Sequence, residues 1–182
     1  ATPVATSVPQ LWLLGSSDYS AHLAAQQGLP YVFAHHFSGE GTERALEIYR
    51  REFRPSEALA APRTFLTVNA AVAATDAEAR RRARPQQLMM LALRTGAPLG
   101  PQLSVEEAAA VELPASHQEF VDAMLARWVV GDADTARAQV ATLAATYGVD
   151  EVMVHPVDGA TDGTPTTGSP AREETLRLLA AA

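Results

Sequence analysis

Short apolar runs alternate along this chain with amphipathic stretches that have the period of an α-helix. Residues 10–14, 31–34, 63–73 and 149–154 are the runs in which apolar and small residues dominate. Nearly continuous apolar strands are typical of a parallel sheet that helices cover on both faces. The pattern therefore predicts an α/β protein built from four strand–helix (βα) units.

Residues that start and stop helices stand at the boundaries of these units. Ser17 is placed to cap a first helix over residues 18–27, and a second helix is predicted over 42–53. Three further starts have the Ser/Thr-x-x-Glu form of a capping box, namely Thr75, Ser104 and Ser116. Three glycines stand where helices should end, namely Gly28, Gly96 and Gly148.

The stretch between the third and fourth strands, residues 75–148, is predicted to be helical. Pro85 should break or kink its first helix, because proline lacks the backbone N–H that an interior position donates. Ser116 is predicted to open a later helix, whose apolar stripe extends from residue 120 to residue 129. Residues 155–169 form a Gly- and Thr-rich loop, and Ser169-Pro170 opens the last helix.

Two architectures fit four parallel βα units. One is an open flavodoxin-like sheet, and the other is half of a (β/α)8 barrel, which in full needs about 250 residues. We expect residues 1–182 to form one domain, with residues 1–9 as a linker. In both architectures the functional rim is the carboxyl edge of the strands and the loops that follow them.

Composition narrows the function classes. The net charge of −7 and the pI near 5.2 argue against nucleic acid as a partner, so the arginine run at residues 80–84 is interpreted as a solvated helix face. The absence of cysteine excludes disulfides and thiolate chemistry. No apolar run approaches the ~20 residues of a membrane span. No targeting signal is visible at the start of the chain, so we expect a cytoplasmic protein and a piece of a longer one, with a mature secreted chain as the alternative.

Gly15, Ser16 and Ser17 form the most informative segment. They follow a predicted strand and open a helix, where free N–H groups and the helix dipole favour an anion. Gly15 permits a tight turn, and the two hydroxyls add donors. The segment suits a phosphate monoester such as that of FMN. The alternative is that Ser17 serves only as a helix N-cap.

His35 and His36 end the second predicted strand. Adjacent strand residues point to opposite faces, so a shared metal ion is not expected there. One of the pair could face the rim as a hydrogen-bonding or proton-transfer group, or could be a packed histidine that a carbonyl satisfies. A hydrolase triad of Ser16 or Ser17 with His155 and Asp158 is rejected, because Tyr19 stands where a nucleophile elbow requires glycine.

Four segments together resemble the bacterial luciferase-like flavin-dependent monooxygenases. Two of them are Val8-Pro9-Gln10-Leu11-Trp12-Leu13-Leu14-Gly15-Ser16-Ser17 and Gly28-Leu29-Pro30-Tyr31-Val32-Phe33-Ala34-His35-His36-Phe37. The others are Val72-Ala73-Ala74-Thr75-Asp76-Ala77-Glu78-Ala79-Arg80 and the segment from Val130-Gly131-Asp132 to Gly148-Val149-Asp150-Glu151-Val152-Met153-Val154. The resemblance runs in order over nearly the whole chain, and its specificity lies in the set.

The resemblance implies the C-terminal half of a (β/α)8 TIM barrel, with a helical insertion before the last strand. It implies FMN as cofactor, received reduced from a flavin reductase, and oxidation of an organic substrate with O2. The flavin phosphate would lie at Gly15, Ser16 and Ser17, and His35 and His36 would border the flavin site. The N-terminal half of the barrel, which in the family supplies the best-known catalytic histidine, is absent here, so no catalytic residue is assigned.

Three alternatives follow from these considerations. The chain is a monooxygenase fragment, a non-enzymatic flavin- or phosphate-binding module, or a complete flavodoxin-like domain. Four strands without the other four leave open edges and an apolar interior, so we expect a homodimer or pairing with the missing half.

Overall fold

The computed structural model describes residues 4, 6–7 and 9–180. The predicted linker at residues 1–9 therefore lies largely outside the described part. The described elements alternate between strand and helix over most of the chain. They are β1 (Leu13–Gly15), α1 (Asp18–Gln27), β2 (Tyr31–Phe33), α2 (Thr42–Glu52), β3 (Leu66–Val72), α3 (Asp76–Thr95), α4 (Val105–Ala109), α5 (Ala115–Leu125), β4 (Val129–Gly131), α6 (Ala133–Tyr147), β5 (Val152–Pro156) and α7 (Pro170–Ala180).

Contacts within the chain fall into two compact units. The first comprises residues 1–66 and 149–151, and the second comprises residues 67–148 and 152–182. The prediction of a single domain stays a prediction.

In the first unit β1 and β2 pair in parallel, so that Gly15 lies opposite Phe33. Helices α1 and α2 pack on this pair, and the Tyr49 hydroxyl donates to the carbonyl of Leu29 at 3.0 Å.

The second unit is built on a three-stranded sheet in the order β4-β3-β5. Every residue of β3 is buried, as continuous apolar strands of a covered parallel sheet should be. β3 and β4 run parallel, with Ala71 opposite Val130. Trp128 and Met90 complete the core that α3 and these strands share. The predicted class, α/β with parallel strands, is confirmed.

The sequence interpretation missed β4 and placed the last strand too early. The apolar stripe predicted one helix through residue 129, but α5 ends at Leu125 and Val129–Gly131 is a strand. A three-residue strand beside a helix of matching hydrophobicity carries no period of its own, so only its pairing with β3 reveals it. The last strand is Val152–Pro156 rather than residues 149–154.

Pro85 neither breaks α3 nor ends it, so the predicted break is wrong. The helix runs without interruption from Asp76 to Thr95. Pro85 is buried, and its ring lies where a side chain on Gly159 would have to stand. The carbonyl of Arg82, in the preceding turn, accepts the N–H of Gly159 at 2.8 Å. Packing of Pro85 and this external bond to the same turn offset the loss of the hydrogen bond that residue 85 would otherwise donate to the Arg81 carbonyl.

The two serines predicted to open capping boxes differ in the structure. The Ser104 hydroxyl accepts from the N–H of Glu107, and the Glu107 carboxylate accepts from the N–H of Ser104. Ser116, in contrast, lies inside α5.

We expect Ser104→Ala to lower the free energy of unfolding by about 1 kcal/mol, because it removes a cap. Ser116→Ala should change it by less than about 0.5 kcal/mol. Urea denaturation of both variants tests this, and equal effects would contradict it.

Candidate functional site

The turn after β1 presents two hydroxyls at the amino terminus of α1. β1 ends at Gly15, and Ser17 adopts the extended conformation of an N-cap residue. The Ser17 side chain nevertheless makes no capping hydrogen bond, and both Ser16 and Ser17 are exposed. The first turn of a helix also has N–H groups without intrahelical partners. Hydroxyls and N–H groups are therefore available together for an anion.

Gly15 is required by a close approach rather than by an unusual backbone conformation. Its φ is not positive, so the chain does not use the left-handed conformation that glycine permits. A Cβ on Gly15 would lie 2.1 Å from the Ser20 Oγ. Ser20 is held there because its hydroxyl donates to the Ser17 carbonyl at 2.6 Å and accepts from the Tyr31 hydroxyl at 3.1 Å. Burial raises the pKa of Tyr31, which keeps the phenol protonated as the donor.

A negative charge lies beside this anion-favouring turn. Asp18 is the first residue of α1, and its carboxylate would repel a phosphate at the same helix end. The Arg44 guanidinium pairs with the Asp18 carboxylate at 2.8 Å. This ion pair offsets the charge of Asp18, and the exposed Arg44 adds a cation near the turn. The donor set of the turn therefore fits a phosphate monoester.

His35 and His36 follow β2 at the same sheet edge as Gly15. The strand ends at Phe33, and the N–H of Ala34 donates to the Gly15 carbonyl at 2.7 Å. His35 is buried, and its Nδ1 lies 2.9 Å from the Thr42 Oγ1, which donates its proton to Gly39. A neutral His35 therefore carries its proton on Nδ1 and donates it to Thr42.

His36 is half-buried and follows His35 in the turn. The structure thus brings all five predicted site residues to one edge of the β1–β2 sheet. Whether they bind a cofactor stays a prediction.

No cluster of potential metal ligands occurs within the described residues.

The contacts of His155 and Asp158 do not support the rejected triad. His155 Nδ1 lies 2.9 Å from Asn69 Oδ1, while Asp158 hydrogen-bonds to Thr175 instead. Burial, the main cause, and the positive charge of Arg172 lower the pKa of His155, which favours its neutral form.

Asp158, a member of the rejected triad, is a buried acid. It follows β5 and is 2% exposed. Thr175 Oγ1 lies 2.8 Å from Asp158 Oδ2, 2.8 Å from the Val72 nitrogen and 3.1 Å from the Val72 oxygen. One hydroxyl proton cannot serve both oxygens. All these groups are satisfied when Asp158 is protonated and donates to Thr175, which then donates to Val72.

Burial raises the pKa of Asp158 to about 6, although Thr175, Arg82 and Arg172 act against this rise. The unfolded chain releases the proton near pH 3.8, so between these values the folded chain binds more protons. The contribution of Asp158 to stability is therefore largest at low pH and falls as pH rises from about 4 to about 6. The total loss is up to about 3 kcal/mol.

We expect Asp158→Asn to remove this pH dependence. The asparagine amide donates to Thr175 as the protonated acid does, so the variant should gain stability over the parent chain at pH 7 but not at pH 4. Asp162→Asn, at an exposed position of the same loop, is the control. Urea unfolding at both pH values measures the difference, and a difference that does not change with pH would disprove the assignment.

The sequence matches a family model described as luciferase-like monooxygenase over residues 1–151. This match covers most of the chain. The chain belongs to the luciferase-like monooxygenase family. Among curated relatives of this family, it is 34% identical over 145 residues to the luciferase-like monooxygenase of Escherichia coli (strain K12), covering 80% of this chain and 43% of that protein.

It is also 37% identical over 155 residues to the uncharacterized protein YceB of Bacillus subtilis (strain 168), covering 85% and 46%. The chain therefore spans about half the length of the curated relatives it matches.

Solved structures agree with this assignment. The crystal structure of apo-MsnO8 matches 98% of this chain and 52% of its own, with a TM-score of 0.78 and 31% identity. The oxygenating constituent of 3,6-diketocamphane monooxygenase from a Pseudomonas putida plasmid, a type II Baeyer–Villiger monooxygenase in complex with FMN, matches 94% and 47%. Its TM-score is 0.54 and its identity 18%, which supports the fold alone. These neighbours are luciferase-like TIM-barrel monooxygenases of about twice this length, so the flavodoxin-like alternative is set aside.

Among the described helices, none is both long enough and apolar enough to cross a bilayer.

Proposed function

We propose that this chain supplies the flavin-phosphate site of an FMN-dependent monooxygenase that oxidises an organic substrate with O2. The main support for the proposal is the turn after β1. There Ser16 and Ser17 are exposed, and the Ser17 side chain caps no N–H group of the helix. An N-cap serine normally accepts from its own helix, so a hydroxyl left out of that role is available to a ligand. Family membership supports the same conclusion, since the family is one of monooxygenases.

The residues of this chain would bind and orient the cofactor. Ser16 and Ser17 would donate their hydroxyl protons to phosphate oxygens, together with the N–H groups of the first turn of α1. His35 and His36, at the same sheet edge, would border the flavin. The bound flavin would supply the electrons that reduce one atom of O2 to water while the other enters the substrate.

A titration with FMN tests the phosphate site. FMN should bind and quench its fluorescence, whereas riboflavin, which lacks the phosphate, should bind at least about tenfold more weakly. The double variant Ser16→Ala/Ser17→Ala should weaken FMN binding by about tenfold and leave riboflavin unchanged. Ser116→Ala, which removes an exposed hydroxyl from the first turn of another helix, is the matched control. Equal binding of FMN and riboflavin would contradict the proposed phosphate site.

A non-enzymatic flavin-binding module is the second candidate, because the chain spans only about half the length of its relatives. Oxygen consumption with reduced FMN and a series of aldehydes separates the two. Turnover above the rate of free reduced FMN supports the enzyme, and FMN binding without turnover supports the module. The intact protein would receive reduced FMN from a flavin reductase.

We also propose that the chain associates, either with itself or with the half of the barrel that it lacks. Each sheet exposes a large apolar side chain, with Leu14 in β1 61% exposed and Met153 in β5 48% exposed. Exposed apolar strand residues and unpaired edges favour pairing with another chain. Light scattering at micromolar concentration should show a dimer, and a monodisperse monomer would contradict self-association.

A further inference from the structure

A cavity of about 460 Å3 lies beside the amino terminus of α7. Its wall comes from the loop after β5, from Gln102 and from side chains of α3 and α7. This loop, residues 155–169, follows the last strand at the edge where the sequence predicts the functional rim. A volume of this size accommodates a small metabolite. Two features of the wall favour a ligand, namely one buried acceptor and one anion-favouring helix end.

The buried acceptor is Asp158. The residue lines the cavity, is 2% exposed, and its Oδ2 is hydrogen-bonded to Thr175. Within the described part of the chain, Oδ1 has no hydrogen-bond partner. A buried carboxyl oxygen without a donor is costly, so the site favours a ligand that brings a hydroxyl or amine proton to Oδ1.

The anion-favouring end is the first turn of α7. Ser169 precedes the helix and its carbonyl accepts from Glu173, while the intervening N–H groups of Ala171 and Arg172 lie in the turn where helices leave donors unpaired. The helix has 11 residues, and its dipole adds to the attraction for an anion. Ala171 and Arg172 both line the cavity.

The charged side chains of the wall leave a net attraction for an anion. The Glu174 carboxylate forms an ion pair with the Arg82 guanidinium at 2.6 Å, so these two charges offset each other. Arg172 is held at the wall by its donation to the Asp158 carbonyl at 3.1 Å. Arg177 is exposed and lies 3.7 Å from Glu173, a distance at which an exposed pair contributes little. Arg172 and Arg177 are thus the cations that remain to meet a ligand.

We propose that this cavity binds a small phosphorylated polyol. Its phosphate lies at the first turn of α7 with Arg177, and one of its hydroxyl groups donates to Asp158 Oδ1. The site is formed entirely by residues 82–177 and goes beyond the proposed flavin site, which uses residues 15–36. No covalent step is involved.

Three probe compounds separate the contribution of the phosphate group from that of the hydroxyl groups. Glycerol 3-phosphate carries both groups, inorganic phosphate carries the anion alone, and glycerol carries the hydroxyls alone. Calorimetric titration should show glycerol 3-phosphate binding about tenfold more tightly than phosphate, with no binding of glycerol. The titrations are done in the Ser16→Ala/Ser17→Ala chain, so that phosphate binding at the proposed flavin turn does not contribute. Equal affinity for phosphate and glycerol 3-phosphate would overturn the proposal.

Substitutions test which residue binds the phosphate group and which binds the hydroxyl group. Arg177→Gln should weaken both phosphate compounds about tenfold, whereas Arg80→Gln, at another exposed arginine outside the cavity, should weaken neither. Asp158→Ala should abolish the preference for glycerol 3-phosphate over phosphate, whatever happens to the absolute affinity. Amide chemical shifts locate the anion, because those of Ala171 and Arg172 should move on titration. Equal effects of Arg177→Gln and Arg80→Gln, or unmoved amides at α7, would refute the site.

Discussion

Thr175→Val is expected to lower the free energy of unfolding by about 3–5 kcal/mol, the largest effect of a single substitution that we predict. The Thr175 hydroxyl is fully buried and bonds with the N–H and the carbonyl of Val72 and with Asp158. Valine has the same shape but no hydroxyl, so it leaves three buried polar groups without this partner. Each such group costs about 1–3 kcal/mol.

Two controls separate the hydroxyl from the rest of the side chain. Thr175→Ser keeps the hydroxyl and should cost only about 1 kcal/mol for the lost methyl group. Thr142→Val makes the same exchange at an exposed position of α6 and should change the free energy by less than about 0.5 kcal/mol. Trp128 is buried in the same unit. Its fluorescence, measured in a Trp12→Phe background, therefore monitors the unfolding of this unit by urea. Similar losses for the valine and serine variants would contradict the network.

Gly15→Ala is expected to lower the free energy of unfolding by about 2–3 kcal/mol. The new Cβ would lie 2.1 Å from the Ser20 Oγ and 2.2 Å from the Ser20 Cβ, so Ser20 must move and give up its bonds to Ser17 and Tyr31. The same movement displaces the first turn of α1, so FMN affinity should fall as well. Trp12, which packs on Phe65 in this unit, reports the unfolding in a Trp128→Phe background.

A double-mutant cycle tests the cause of this loss. Ser20→Gly alone should destabilise the chain by about 2 kcal/mol, because glycine is a poor helix residue and the hydrogen bonds to Ser17 and Tyr31 are lost. In its presence Gly15→Ala should cost much less than in the parent chain, since the clashing side chain is gone. Gly100→Ala is the matched control, because a Cβ there meets nothing within 4 Å. Additive losses from Gly15→Ala and Ser20→Gly would show that the close approach is not the cause.

Features set by neighbours along the chain could be predicted from sequence. Helix ends are the clearest case, because Gly28, Gly96 and Gly148 all adopt the left-handed conformation at a C-cap. Ser104 forms the predicted capping box for the same reason. The parallel α/β class followed from runs of apolar residues between amphipathic helices, and the family followed from a set of short motifs in order. Each of these depends on residues a few positions apart.

The errors arose where distant segments decide the structure. β4 is a strand because Val129 and its neighbours pair with β3, about sixty residues earlier, and no local period indicates this. Pro85 stays within α3 because Gly159, from a loop far along the chain, packs on it and bonds to the preceding turn. Local propensity favoured the other outcome in both cases, and tertiary contacts reversed it.

The sequence by itself determined the class of fold, most helix boundaries and the turn at Gly15, Ser16 and Ser17, because these depend on hydrophobic period and local backbone chemistry. Only the tertiary structure decided why Gly15 must be glycine and that Asp158 is a buried acid beside a cavity. Both depend on what a distant or folded-back segment places against the residue. Burial and unmet hydrogen bonds are properties of the surroundings, which a linear sequence does not display.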